Sequence, residues 1–407
     1  MLKYVDFSVI FLTIFVTIHF KSHLRIIKTI NTDTRFNKKF MWRKTMNNIR
    51  LAVIGTGLAW ERLHYPALLE LGNRYKITAL CNRTKKDAEE FAKKINLDIS
   101  NVYDDYNEML KREDIDAVDV LVPIQLNYQV SEAVAISGRS FICEKPLAPN
   151  MEQAKKYLEL SKKYNVKIMI AENYRYNEEN NKIKELIESG KIGEVIYFIK
   201  NNIACFPCEM EAGSYADTEW RQHPRYSGGA FLDAALHDIA AMRHIFGKVE
   251  CVQAFGRPQK EDFNPYKSVN SSILFENGII GHFSYFPSGF ESQRPPVGFR
   301  IFGTNGEIYL EEKSCGIINI AYNNGYSEKV TYVPERGYYN ELLNFYNAIN
   351  GTEQIAVTPE IEYGDVKMVF DIINSVESRE IKYVDAQKED KNIVHHQMQQ
   401  ESRAYIQ

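Results

Sequence analysis

Several things are scarce in this 407-residue chain, and each scarcity closes off a class of function. Charge of one sign is missing: 50 basic residues against 53 acidic ones leave a formal net charge of −3, too even for a nucleic-acid-binding body. Cysteine is thin. The six (Cys81, Cys143, Cys205, Cys208, Cys251 and Cys315) are scattered, several in apolar strand-like runs where a thiol behaves as a small hydrophobe, which reads as a reducing compartment. Cys205-Phe206-Pro207-Cys208 is the close pair, with the spacing of half a metal site or of a redox pair. No second CxxC or nearby Cys/His cluster completes a zinc site, so the pair is read as neither and no metal is expected. Long hydrophobic runs are absent apart from Phe7 to Phe20, which falls short of the roughly 20 residues that span a bilayer. No small-x-small cleavage site follows that run, which weighs against a signal peptide.

Residues 1–48 differ in composition from all that follows, because the apolar run leads into a Lys- and Arg-rich stretch, Lys21 to Lys44. A membrane anchor with its basic side towards the cytoplasm is one reading. The preferred one is a translation start at Met46, since Met46-Asn47-Asn48 runs straight into an apolar strand. Either way the segment is set aside from the fold, and the body of the protein is expected in the cytoplasm. The remaining length exceeds a single core, and 44% hydrophobic with 25% charged residues is near the globular average, so two domains are expected.

From Ile49 onward short apolar runs alternate with amphipathic stretches. Strands are predicted at Ile49 to Ile54, Ile77 to Cys81, Ala117 to Val122, Phe141 to Cys143 and Lys167 to Ile170. Helices are predicted at Trp60 to Leu71, Lys85 to Ile95, Tyr106 to Arg112, Tyr128 to Ser137 and Met151 to Tyr164. Such βαβ alternation implies a parallel, doubly wound sheet. Its first junction reads Ile54-Gly55-Thr56-Gly57-Leu58-Ala59-Trp60. Gly55 permits a tight turn and Gly57 a close backbone approach to a pyrophosphate seated on the helix start, so residues 55 to 58 are candidate cofactor contacts. Trp60 stands where a third glycine is usual. The second strand ends without an acid, at Cys81-Asn82-Arg83-Thr84. An Asp or Glu there would accept bonds from an NAD ribose. Uncharged Asn82 tolerates a 2′-phosphate, and Arg83 and Thr84 can bind one, so NADP is preferred over NAD.

Lys145, in Glu144-Lys145-Pro146, follows a buried strand at the sheet edge where doubly wound folds bind ligands. A lysine there can polarise an alcohol or carbonyl oxygen, and a nearby nicotinamide cation would lower its pKa. Further on, Gly228-Gly229-Ala230 opens a helix with Asp233 and His237 four residues apart on one face. His237 suits proton transfer near neutral pH, while Asp233 can bond a substrate hydroxyl or orient the imidazole.

Gly55-Thr56-Gly57, His64-Tyr65-Pro66-Ala67-Leu68, Glu144-Lys145-Pro146 and Gly228-Gly229-Ala230 through His237-Asp238-Ile239, in that order, resemble the Gfo/Idh/MocA family over Ile49 to Val384. The resemblance implies catalytic roles for Lys145, Asp233 and His237, and cofactor contacts from Glu144 and from Arg175 in Asn173-Tyr174-Arg175-Tyr176. Pro123 and Asn127 are expected beside the nicotinamide, although Val122-Pro123-Ile124-Gln125-Leu126-Asn127 lacks the histidine of the family's Thr-Pro-x-x-x-His pattern. It also implies an N-terminal Rossmann domain (49–171), then an α/β domain with a large, mostly antiparallel sheet (172–384) whose helix Asp365 to Ser378 returns to the first domain, then a polar tail (385–407). Strands at Val195 to Ile203, Cys251 to Gly256, Ser268 to Phe275, Ile279 to Phe286, Gly298 to Gly303, Glu307 to Glu311 and Gly316 to Tyr322 agree, with hairpin turns at Asn277-Gly278 and Asn305-Gly306. A homodimer or homotetramer joined through that sheet is expected. The activity expected is hydride transfer between nicotinamide and a secondary hydroxyl or ketone of a sugar, cyclitol or polyol. The alternative is a non-catalytic dinucleotide-binding regulator on the same fold.

Overall fold

The computed structural model describes residues 47–289, 298–311 and 313–385. The expected anchor at Phe7 to Phe20, the start at Met46 and the tail beyond Asp385 lie outside the described residues.

The first sheet is built from β1 (Ile49–Ile54), β2 (Tyr75–Cys81), β3 (Val102–Tyr103), β4 (Ala117–Val120), β5 (Ser140–Glu144) and β6 (Ile168–Ala171). Its order is β3-β2-β1-β4-β5-β6 and every pairing is parallel. β4 and β6 are buried throughout and β1 nearly so, because helices cover both faces of a parallel sheet. The order reverses between β1 and β4, which opens a crevice beyond their carboxyl ends. Trp60 begins the following π turn, Trp60–His64, and is fully buried. It packs on Tyr65 and Phe91 at ring distances of 5.5 and 5.7 Å, so an indole fills the contact that a third glycine would make close.

The second sheet comprises β7 (Val195–Ile203), β8 (Val249–Pro258), β9 (Tyr266–Phe275), β10 (Ile280–Phe286), β11 (Phe299–Gly303), β12 (Gly306–Leu310), β13 (Ile317–Tyr322), β14 (Ser327–Thr331) and β15 (Lys382–Tyr383). Its order is β14-β13-β12-β11-β7-β10-β9-β8-β15, antiparallel except where β10 runs parallel to β7. Burial alternates along β9 and β10: one face packs on helices, while the other leaves Tyr197, Phe255 and Ile280 exposed. The helix Pro359–Ser378 packs on β8 and also on β6 and the helix Met151–Tyr157, and Ile170 donates to the Val357 carbonyl at 3.0 Å. This ties the second sheet to the first.

The strands missed in the sequence are edge strands: β3 and β15 have two residues each, and β14 alternates polar side chains without a buried face. The single helix expected over Met151 to Tyr164 is broken into Met151–Tyr157 and Leu160–Tyr164. Among the described residues, no helix is long and apolar enough to cross a membrane.

Candidate active site

Two cavities meet at Lys145. The first, of about 470 Å³, occupies the crevice between β1 and β4 and is lined by Gly55, Gly57, Leu58, Asn82, Arg83, Pro123, Glu144 and Lys145. Gly55 has φ +100°, and a Cβ there would lie 2.0 Å from the Leu121 carbonyl oxygen, so only glycine fits. A Cβ on Gly57 would meet nothing within 4 Å, which leaves the space above the loop open. Three buried polar atoms at this loop and wall lack a protein partner among the described residues: Thr56 Oγ1, Trp60 Nε1 and Thr218 Oγ1. Turn, open space and unspent hydrogen-bonding groups fit a dinucleotide.

Lys145 follows β5, and its cis peptide to Pro146 is held by Asn127, whose Nδ2 donates to the carbonyls of Glu144 (2.9 Å) and Pro146 (2.6 Å). The Lys145 ammonium donates to Asp233 Oδ1 at 2.9 Å and to the Asp233 carbonyl at 2.6 Å. Arg221 Nε takes the other carboxylate oxygen at 2.9 Å, and its guanidinium lies 4.0 Å from the rings of both Tyr215 and Trp220. Burial works against the charge on each member. The opposite charges nonetheless outweigh it, holding the Lys145 ammonium above and the Asp233 carboxyl well below their usual ranges. Asp233 therefore favours the charged form of Lys145.

The second cavity, of about 660 Å³, is lined by Lys145, Asp233, His237, Asn173, Tyr174, Tyr285 and Tyr338 among others. His237 and Asp233 share this wall but do not pair. A π turn, Phe231–Ala235, precedes the helix Leu236–Phe246, and Asp233 is consumed by its two cations. The His237 Nδ1 instead lies 2.8 Å from Glu172 Oε1, and Tyr174 stacks on the imidazole at 4.5 Å. Glu172, just past β6, carries no motif in the sequence that marks it for this site. It precedes the motif Asn173 to Tyr176, and no local pattern marks an acid there.

Beneath β4 and β5 lies a buried charge network. His64 Nδ1 is 2.9 Å from Asp119 Oδ2, Nε2 is 3.1 Å from Glu144 Oε1, and Glu341 approaches within 3.9 Å. Burial disfavours the imidazolium, yet Asp119 and Glu144 raise the His64 pKa well above its ordinary value.

Three expected contacts fall elsewhere. Arg175 is not in either cavity: its guanidinium grips Asp365 at 2.7 Å, in a cluster where Arg243 also holds Asp365, because a buried carboxylate demands cations. Asn127 is fully buried and shapes the Lys145 turn, and Thr84 precedes the helix Lys85–Lys94 outside the cleft lining. Thr56 stays within the glycine loop, buried and with its Oγ1 unpartnered among the described residues. Cys205 and Cys208, read as an ordinary pair, are joined in a disulfide whose Cα atoms lie 5.3 Å apart as the chain turns into the helix Phe206–Glu209.

Known proteins share this fold. Residues 49–172 match the profile described as "Oxidoreductase family, NAD-binding Rossmann fold", and residues 184–388 match "Oxidoreductase family, C-terminal alpha/beta domain". An uncharacterised protein of Saccharomyces cerevisiae is 30% identical over 315 residues, covering 75% of this chain and 88% of that one. Myo-inositol 2-dehydrogenase of Thermotoga maritima is 26% identical over 66% of this chain and 79% of its own. Among solved structures, an oxidoreductase from Thermotoga maritima superposes with a TM-score of 0.73 at 31% identity, covering 83% of this chain and 99% of that one. Levoglucosan dehydrogenase in complex with NADH and levoglucosan shares the fold, with a TM-score of 0.72 at 20% identity over 84% and 100% of the two chains. With both domain profiles matched in order, the chain belongs to the Gfo/Idh/MocA family of NAD-binding oxidoreductases.

Proposed function

We propose that the protein is a reversible NAD(P)-dependent dehydrogenase acting on a secondary hydroxyl of a sugar, cyclitol or related polyol. The observation that carries this reading is that Lys145 lines both cavities, with its ammonium fixed by Asp233 and with His237 on the substrate side. Bound in the crevice, a nicotinamide dinucleotide supplies the acceptor or donor of hydride. Gly55 and Gly57 would leave room for its phosphates, and Asn82 and Arg83 would hold its adenosine end. The Lys145 ammonium stabilises negative charge developing on the substrate oxygen. His237 takes the hydroxyl proton and returns it in the reverse direction. Asp233 keeps Lys145 in place and charged. Relatives named myo-inositol 2-dehydrogenase, levoglucosan dehydrogenase and 1,5-anhydro-D-fructose reductase support a polyhydroxylated substrate.

For the cofactor, Arg83 without an acid at Asn82 favours NADP. A second reading rests on Asp104, which lines the same cleft just past β3: its carboxylate suits ribose hydroxyls and repels a 2′-phosphate, favouring NAD. Self-association through the exposed sheet face at Tyr197, Phe255 and Ile280 belongs to the same proposal. The test is fluorescence titration with NADH and NADPH, then a panel of polyols followed at the absorbance of the reduced nicotinamide. Turnover of a polyol supports the assignment, and tight cofactor binding with no turnover across a broad panel overturns it.

A further inference from the structure

We infer that Glu172 is a positioning residue that sets the tautomer and charge partner of His237, so the proton-transfer unit is a Glu172–His237 dyad from which Asp233 is excluded. The inference rests on the dehydrogenase reading for its kinetic consequence, though not for its spectroscopic one.

The two carboxylates nearest the reacting groups have separate duties. Asp233 places one oxygen on Lys145 and the other on Arg221, and it makes no hydrogen bond to the imidazole, which pairs with Glu172 instead. Glu172 has 0% side-chain exposure, and its Oε1 accepts both from the Tyr174 backbone N–H at 3.0 Å and from His237 Nδ1 at 2.8 Å. The backbone bond identifies Oε1 as an acceptor and fixes the carboxylate in place. The imidazole must then carry its proton on Nδ1, since two acceptors cannot share a hydrogen bond. Nε2, with no partner among the described residues, is left as the basic nitrogen in the substrate cavity, and the side chain keeps 18% exposure there. Tyr174 completes the support by stacking on the imidazole at 18° between planes, and Lys313 lies 4.7 Å from the same tyrosine ring. When Nε2 takes a proton from a hydroxyl, the positive charge formed on the imidazole faces the buried carboxylate of Glu172. An acid oriented in this way both selects the tautomer and stabilises the imidazolium. Burial alone would raise the Glu172 pKa, but attraction to His237, the hydrogen bonds from His237 and the Tyr174 N–H, and the Lys145 charge together keep the carboxyl below the ordinary glutamate range.

Two variants separate these effects. Glu172→Gln keeps the shape and the acceptor oxygen but removes the charge. Glu172→Leu removes both. Protein labelled with ¹⁵N-histidine, with the His237 signals assigned by their loss in His237→Asn, reports the tautomer from long-range proton–nitrogen correlations without any substrate. The expected result is an Nδ1–H imidazole in the native protein and in Glu172→Gln, with a shift to the Nε2–H form common in water for Glu172→Leu. In the polyol assay, kcat of Glu172→Gln falls about 10²-fold with KM within about threefold, the loss expected when a proton-transfer group loses its electrostatic partner. An Nε2–H imidazole in the native protein overturns the inference, as does native kcat in Glu172→Gln. If Glu172→Leu does not fold, the native spectrum and the Gln variant decide the matter between them. Should no polyol be turned over by the native protein, the dehydrogenase reading fails while the tautomer measurement still tests the dyad.

Discussion

The crevice proposed for the cofactor and the cavity proposed for the substrate meet at Lys145 but are constructed in opposite ways. The cleft comes largely from strand ends of a single sheet, so many of its lining groups sit a few residues beyond β1 to β5, with Tyr215, Thr218, Trp220 and Arg221 closing the far wall. The substrate cavity gathers its charged groups from segments far apart in the chain: Lys145 meets Asp233 across 88 residues, and Glu172 meets His237 across 65. A motif can encode the first kind of site, because a turn and a strand end are local. It encodes only half of each pair in the second.

Substitution costs most at Lys145, which lines both cavities. Lys145→Met should lower turnover about 10³-fold, the scale seen when one preorganised donor to a developing oxyanion is removed, while NAD(P)H affinity measured by fluorescence stays within a fewfold of native. Loss of cofactor binding in that variant would mean that the two cavities are not separable at this residue.

Gly55→Ala attacks the cleft alone. Its Cβ would lie 2.0 Å from a backbone oxygen at a positive φ, so the loop must move. Affinity for both reduced cofactors should fall about 10²-fold, roughly 2.7 kcal/mol, with the helices and sheets unchanged by circular dichroism. Arg83→Ala sharpens the chemistry at the far end of the same cleft. It should weaken NADPH about tenfold and leave NADH unchanged, whereas Asp104→Asn should improve NADPH; titrations in which both variants leave the NADPH/NADH ratio at its native value would remove both residues from cofactor choice.

The smallest effect comes from the network beneath both cavities. His64 has its folded pKa raised above the unfolded value of about 6.5, so the stability it contributes is complete below that pH and is lost as pH rises through the folded value. Buried Glu341, raised above the carboxylate range chiefly by burial, acts with the same sign, because the unfolded chain releases that proton at lower pH. Asp233 has the opposite sign, with stability present above about pH 4 and lost only as pH falls towards its depressed value. The melting temperature should therefore be highest in mildly acid solution and fall by about 2 °C or more towards pH 9, with a flatter profile in His64→Gln. Equal slopes in the two proteins would assign the decline to other groups.

Much of the architecture was legible in the sequence because period and punctuation are local. The apolar runs at Ile49 to Ile54 and Val195 to Ile203 coincide with β1 and β7. The strands that escaped notice lie at edges, where little or nothing is buried on either face to impose a pattern. Within the site, Gly55, Gly57, Lys145, Asp233 and His237 were readable from motif and spacing, and the structure brings them to the two cavities. Arg175 was misdirected because nothing near it announces Asp365, which claims its guanidinium. Asp104 went unseen because β3 has only two residues.

By itself the sequence determined a doubly wound parallel sheet with a two-glycine turn at its first junction, and it set a lysine, an aspartate and a histidine in recognisable motifs. Tertiary structure alone decided how those groups pair: Asp233 with Lys145 and Arg221, and His237 with Glu172. Backbone conformation depends on neighbours along the chain, whereas the partner of a buried charge is whichever group the fold carries to within about 3 Å.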